Sequence, residues 1–98
     1  MDALAIAVSG MQAASLRLDV AAGSVANVST PGFRPSRVAL SAAAGGGVAA
    51  RVVPGQLSGV DLIDQVATLI EAPLAYAANA RVVRADRAMT ASLFSARC

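Results

Sequence analysis

"NVSTPGFR", residues 27–34, breaks a chain that reads as helix on either side. Pro31 has no amide hydrogen and disfavours helical geometry at Thr30. Gly32 can adopt a backbone angle closed to side-chain-bearing residues. Asn27, Ser29 and Thr30 offer side-chain oxygens and an amide that compete with the helical ladder for backbone partners. Phe33 gives the turn an apolar anchor, and Pro35 opposes re-entry to helix. The stop therefore has a mechanism. It splits the chain into 1–34 (a helix and its turn), 35–59 (a short middle) and 60–98 (a second helix).

Upstream of the stop, residues 3–28 favour helix. Leu4, Val8, Met11, Ser15, Leu18, Ala22 and Val25 alternate steps of four and three, which is heptad spacing interrupted in character only by Ser15. Ile6, Leu16 and Val20 spread apolar surface beside that stripe. Gly10 and Gly23 weaken the helix and allow another backbone to come close. Downstream, residues 60–96 repeat the pattern through Leu62, Val66, Leu69, Pro73, Tyr76, Ala80 and Val83. Asp61 is placed to cap this helix, and Asp64 puts negative charge in its first turn, where the dipole favours it. Pro73 is expected to kink or divide it. Ile63 and Ile70 form an adjacent stripe, and Val82, Met89 and Ala96 another. Asn79 in a packed seam would fix register, while an exposed Asn79 would carry no such meaning.

Between the helices, "SRVALSA" (36–42) and "VAARVV" (48–53) have the short alternation of strands, joined by the flexible "AAAGGG". A short β-hairpin or a plain loop is expected there. A lone hairpin is marginal in water and must lean on something else. The fold expected is mainly α: two long helices packed as an antiparallel, coiled-coil-like hairpin around a small middle.

Composition narrows the function. The 98 residues are 56% hydrophobic, but much of that is alanine, and Phe33, Tyr76 and Phe94 are the only aromatics. Such a chain builds a thin core. All eight basic residues are arginine and the net charge is +2. They are scattered, apart from Arg81, Arg84 and Arg87 on one helical face, which suits a solvated or inter-subunit surface better than a nucleic-acid stripe. There is no histidine, and Cys98 is the single cysteine. This removes the commonest general base, an intrachain disulfide and a multi-cysteine metal site. Gly45 to Gly47 lack the lysine and Ser/Thr of a phosphate loop. No base–nucleophile set is present, and neither a cofactor nor a metal is expected. The first helical stretch carries Asp2, Arg17 and Asp19, so it reads neither as a cleaved signal nor as a convincing membrane span.

Both ends together resemble the axial proteins of the bacterial flagellum: the rod, hook and hook-associated family. At the N-terminal end the matching features are Ser9–Gly10, Arg17 to Asp19, Ala26–Asn27 and Thr30 to Arg34. At the C-terminal end they are Val60 to Leu62, Leu69 to Ala72, Ala75–Tyr76, Ala78 to Arg81, Asp86 and Met89. The chain departs from the family pattern at Gly23, where asparagine is usual, and at Pro73, where glutamine is common.

The resemblance implies terminal helices that assemble into the inner layer of a helical tube. It implies export through the flagellar type III channel, after synthesis in the cytoplasm, and residence in the basal body across the periplasm. The implied partners are copies of this chain, other rod and hook axial proteins, and the export apparatus, with no nucleic acid and no small-molecule substrate. The short middle favours a proximal-rod-like member. The expected assembly interface is Leu4, Val8, Met11, Leu18, Val25, Leu62, Val66, Leu69, Tyr76, Ala80 and Val83, with Asn27, Thr30, Pro31, Gly32 and Phe33 forming the turn. A small helical-hairpin adapter that dimerises or binds a larger protein is the alternative.

Overall fold

A computed structural model describes residues 3–97. The chain runs α1 (Ala3–Ala26), β1 (Arg37–Ala42), β2 (Val48–Val53) and α2 (Leu62–Arg97). It is mainly helical: two long helices pack against each other with a two-stranded hairpin between them in sequence. The pair is antiparallel, since Gly10 meets Asn79 while Arg17, further along α1, meets Glu71, earlier on α2. The molecule measures 64 × 25 × 14 Å, with a radius of gyration of 17.4 Å. A compact chain of this length would have about 13 Å. The shape is a slat, with two helices side by side and little depth in which to hide side chains.

The stop at 27–34 forms as its chemistry dictates. Asn27 donates both its backbone N–H (3.2 Å) and its side-chain amide (2.8 Å) to the Gly23 carbonyl, ending α1. Thr30 Oγ1 donates to Asn27 Oδ1 at 3.1 Å, and Phe33 N–H reaches the Thr30 carbonyl at 3.3 Å. Gly32 sits at φ +73°, the left-handed angle that favours glycine there. At the other junction Asp61 Oδ1 accepts from the Ile63 and Asp64 amides at 3.1 and 3.4 Å. That is a cap on two of the orphan donors at the α2 start.

The middle is a β-hairpin rather than a plain loop. β1 and β2 pair antiparallel from Arg37↔Val53 to Ala42↔Val48. Gly45, Gly46 and Gly47 all take positive φ in the connection, which explains the glycine run without recourse to a ligand. The hairpin leans on α1: the Val48 amide donates to Ser9 Oγ at 3.1 Å, and Ser9 Oγ donates in turn to the Ile6 carbonyl at 2.6 Å. At its base the Gly59 amide donates to the Phe33 carbonyl at 3.0 Å, tying the entry and exit strands together.

Two expectations need adjustment. Pro73 does not divide the second helix: α2 is continuous from Leu62 to Arg97 with Pro73 inside it. The proline leaves the Leu69 carbonyl without its intrahelical donor. The helix survives because 36 residues propagate cooperatively around one missing bond. The helix limits also shift slightly: α1 stops at Ala26 rather than at residue 28, and α2 starts at Leu62 rather than at residue 60.

The seam between the helices is built from small residues. Among the described residues, those buried are Ala7, Ala13, Ala14, Ala21, Ser24 and Ala72. On α1 the face toward α2 therefore runs Ala7, Gly10, Ala14, Arg17, Ala21, Ser24, in steps of three and four. On α2 it runs Gln65, Thr68, Ala72, Ala75, Asn79. Each helix meets the other along a heptad stripe one residue before the bulky stripe read from sequence. Small residues win because they let the axes approach, so that many weak contacts form at short range. Ser24, fully enclosed, donates to the Val20 carbonyl at 3.1 Å and costs nothing unsatisfied.

By length and composition α1 is apolar enough to cross a membrane. Here one of its faces is closed by α2 and another by the hairpin, with Arg17 and Asp19 in its middle.

Candidate assembly interface

The hairpin covers one flank of the helix pair. Ser9 meets Val48 there, Val20 lies beside Ser36, Arg37 and Val38, and Ala13, on the same α1 face, is buried at 6% exposure. The opposite flank is open. Two adjoining grooves run along it. One is lined by Val8, Met11, Gln12, Ser15, Leu16, Asp19 and Tyr76, and the next by Ala14, Ser15, Leu18, Ala72, Pro73 and Tyr76. Ser15 from α1 and Tyr76 from α2 line both.

This flank is where the bulky stripes of both helices converge. Val8, Met11 and Leu18 come from α1; Tyr76 comes from α2, with Leu69 and Ala80 on its stripe and half-buried. Leu4 and Val25 are half-buried at the two ends of the α1 stripe, Val83 is half-buried further along α2, and Leu62 and Val66 are exposed. The residues expected at an interface are thus not the ones that hold the two helices together. They are brought to a common side and left partly open to solvent.

A second apolar face lies on α2. Ile63, Ile70 and Leu74 lie on α2 directly away from α1 and are 82%, 60% and 66% exposed. Their spacing follows the same period as the seam but is half a turn away from Ala72. The Ile63/Ile70 stripe was visible in sequence; that it would face outward could not be read until the seam was located.

The polar groups are paired locally along the helices. Arg17 Nη2 and Glu71 Oε2 pair at 3.3 Å, bridging the helices at the surface. Asn79 donates to the Ala75 carbonyl at 3.0 Å while its amide rests over Gly10, so it occupies the seam. Asp64, on the α2 first turn, and Glu71 sit on one helix with no partner element closing a pocket between them. Among the described residues no three metal-ligating side chains cluster, and no buried side-chain polar atom lacks a partner. The open flank can cover apolar surface on another helix. Nothing in its lining is arranged to move a proton or hold a nucleophile.

Residues 4–34 match the family model described as flagella basal body rod protein. The match supports the flagellar rod family. The matched residues take in α1 from its second residue and the whole stop at 27–34, so the segment recognised by comparison is also one structural unit. No curated protein matches the chain.

Proposed function

We propose that this chain is a structural subunit of the flagellar basal-body rod, of the proximal-rod kind. It assembles through α1 and α2 with copies of itself and with other rod and hook axial proteins, and it transmits torque through those contacts. The observation that carries the reading is the open flank: the rod-matched α1 brings Val8, Met11 and Leu18 to a side of the molecule that its own fold leaves partly uncovered. Helices with more apolar surface than the monomer can bury gain stability by association. The short middle supports the proximal kind, since two six-residue strands leave no room for a large outer domain. Close packing of small residues lets load pass through many contacts, and head-to-tail addition with a non-closing rotation yields a helical tube. Delivery is through the flagellar export channel, with the chain reaching the periplasmic part of the basal body.

The test is purification of basal bodies from cells carrying a tagged chain. Enrichment of the tag with the rod supports the proposal. Basal bodies free of it, together with a purified chain of fixed dimeric mass at every concentration, would replace it with the helical-hairpin adapter.

A further inference from the structure

The β-hairpin has one bare edge, and its register shows which one. The strands pair antiparallel from Arg37↔Val53 to Ala42↔Val48. Successive residues of such a ladder turn their backbone groups alternately toward the partner strand and away from it. The Val48 amide reaches outward to Ser9 Oγ, while the Pro35 carbonyl lies inward against Gly55. Even-numbered residues therefore face out. On β2 that edge is met by α1 at Val48. On β1 the outward backbone groups of Ser36, Val38 and Leu40 have no partner among the described residues. Beside them a cleft opens between the hairpin and the start of α2. Two adjoining cavities of about 280 and 590 Å³ form it, and Ser36, Arg37, Asp64 and Gln65 line both. The smaller is lined by Ser36 to Val38 and by no residue of β2, so it lies on the outer side of β1.

We propose that the outer edge of β1 accepts an extended segment of a different protein as a third, antiparallel strand, one in which acidic residues alternate with β-branched apolar ones. Bare sheet edges take up peptides through main-chain bonds, and alternate side chains set the specificity. A two-stranded hairpin is marginal and gains from a third strand. The two faces of the hairpin decide which side chains fit. Val38, Leu40, Val48 and Val52 share one face, where Leu40 is 50% and Val52 46% exposed. Arg37 and Arg51 share the other, both exposed. Among the described residues neither makes an ion pair, although Asp64 lines the same cleft as Arg37. Opposite charges on facing residues of neighbouring strands stabilise a sheet, and apolar residues match β-branched ones. The incoming residues level with Val38 and Leu40 are thus apolar, and those level with Arg37 and Ala39 are acidic. Arg51 pairs across the ladder with Ala39, whose small side chain leaves a path toward the second acid. No two acids in these 98 residues stand two apart, so a second copy does not supply such a strand. The contact belongs to the hairpin and stands whether or not α1 and α2 build a rod.

The test uses the full chain and a capped, fluorescein-labelled peptide, Thr-Val-Glu-Val-Glu-Val-Thr, followed by fluorescence anisotropy. Saturable binding is expected, and none for the peptide with Lys in place of Glu. In antiparallel pairing the valines level with Val38 and Leu40 turn their amides toward β1. N-methylation of the valine amides should therefore abolish binding, and N-methylation of the glutamate amides should leave it. These peptides are tested on the unaltered chain, so their outcome does not depend on a variant folding. Leu40→Pro removes one outward N–H and no ladder bond; it should keep the circular dichroism spectrum and weaken binding at least about fivefold. Arg37→Glu should reverse the preference from the Glu peptide to the Lys peptide. No binding, equal effects of the two methylations, or loss confined to the glutamate-methylated peptide would overturn the proposal. So would a chain that ignores the peptide but dimerises by itself and becomes monomeric on Leu40→Pro, since a second copy then holds the edge.

Discussion

Gly10 and Asn79 meet in the seam with no room for a further side chain: a methyl group on Gly10 would lie 2.7 Å from Asn79 Nδ2. The obstacle is the tip of a flexible side chain, which sets the size of the effect. Gly10→Ala gains helix propensity worth about 1 kcal/mol. It displaces the Asn79 amide from its 3.0 Å bond to the Ala75 carbonyl, so the two terms largely offset. Gly10→Leu cannot be accommodated by moving one amide and should destabilise by about 1–3 kcal/mol through overpacking. Thermal unfolding followed by circular dichroism of the three proteins checks the order: wild type and Gly10→Ala close together, Gly10→Leu well below.

Gly55 faces a harder obstacle. A Cβ there would run into the Pro35 carbonyl oxygen, which is backbone and cannot swing aside. Gly55→Ala should therefore part the two segments that enter and leave the hairpin, at a cost of about 1–3 kcal/mol. The nearby bond from the Gly59 amide to the Phe33 carbonyl reports on it. Hydrogen exchange at Gly59 should quicken in the variant while the amides in the centre of α1 keep their protection. Unchanged exchange at Gly59 would contradict the tight approach.

Asp61 caps α2 through two amide bonds. Asp61→Ala should lose about 0.5–2 kcal/mol, whereas Asp61→Asn keeps the acceptor and most of the stability. Equal melting temperatures for the Ala and Asn variants would show that the cap contributes nothing.

The cap and the stop were legible in sequence because both are short-range chemistry: a side-chain oxygen beside orphan amides, a proline without an N–H, a glycine at positive φ. The hairpin was legible for the same reason, from alternation around a glycine run. The seam was not. Its heptad period shows in the sequence, but nothing there says that Ala14, Ala21 and Ala72, rather than the bulkier residues beside them, form the contact. A hydrophobic count rewards bulk, whereas a pair of helices in close contact rewards its absence. Gly10 was the one residue in the sequence that pointed to the true stripe, and Asn79, seven residues after Ala72, marks the same line on α2. The continuity of α2 through Pro73 was also beyond local reasoning, because the proline penalty is local and the helix on either side of it is long.

That penalty gives a prediction of its own. Pro73 is exposed and sits inside a regular helix, so replacing it disturbs no buried packing. Pro73→Ala supplies an N–H to the Leu69 carbonyl and removes a residue that costs up to about 3 kcal/mol in a helix interior. Stability should rise by about 1–3 kcal/mol, and the new amide at position 73 should exchange slowly. A fall in stability would mean that the proline ring, which lines the open flank beside Leu18, contributes more by packing than it costs in backbone.

The separation between the seam and the open flank predicts two kinds of failure from the same kind of substitution. Ala21 is 2% exposed in the seam, so Ala21→Asp buries an unpaired carboxylate and should unfold the helix pair. Ile70 is 60% exposed on the face away from α1, and Ile70→Asp should leave the monomer's helicity and melting temperature within about 0.5 kcal/mol of wild type. Leu18, half-buried between the two, should show a small loss of stability. In the proposed rod assembly, a neighbour packed over Ile70 or Leu18 would strip the water from a carboxylate there without supplying a partner. Incorporation into basal bodies should therefore collapse for Leu18→Asp and Ile70→Asp although the soluble chain remains folded. Circular dichroism of the purified variants, set against their recovery in basal bodies, separates the two effects. Normal recovery of both folded variants would mean that neither apolar face meets another subunit.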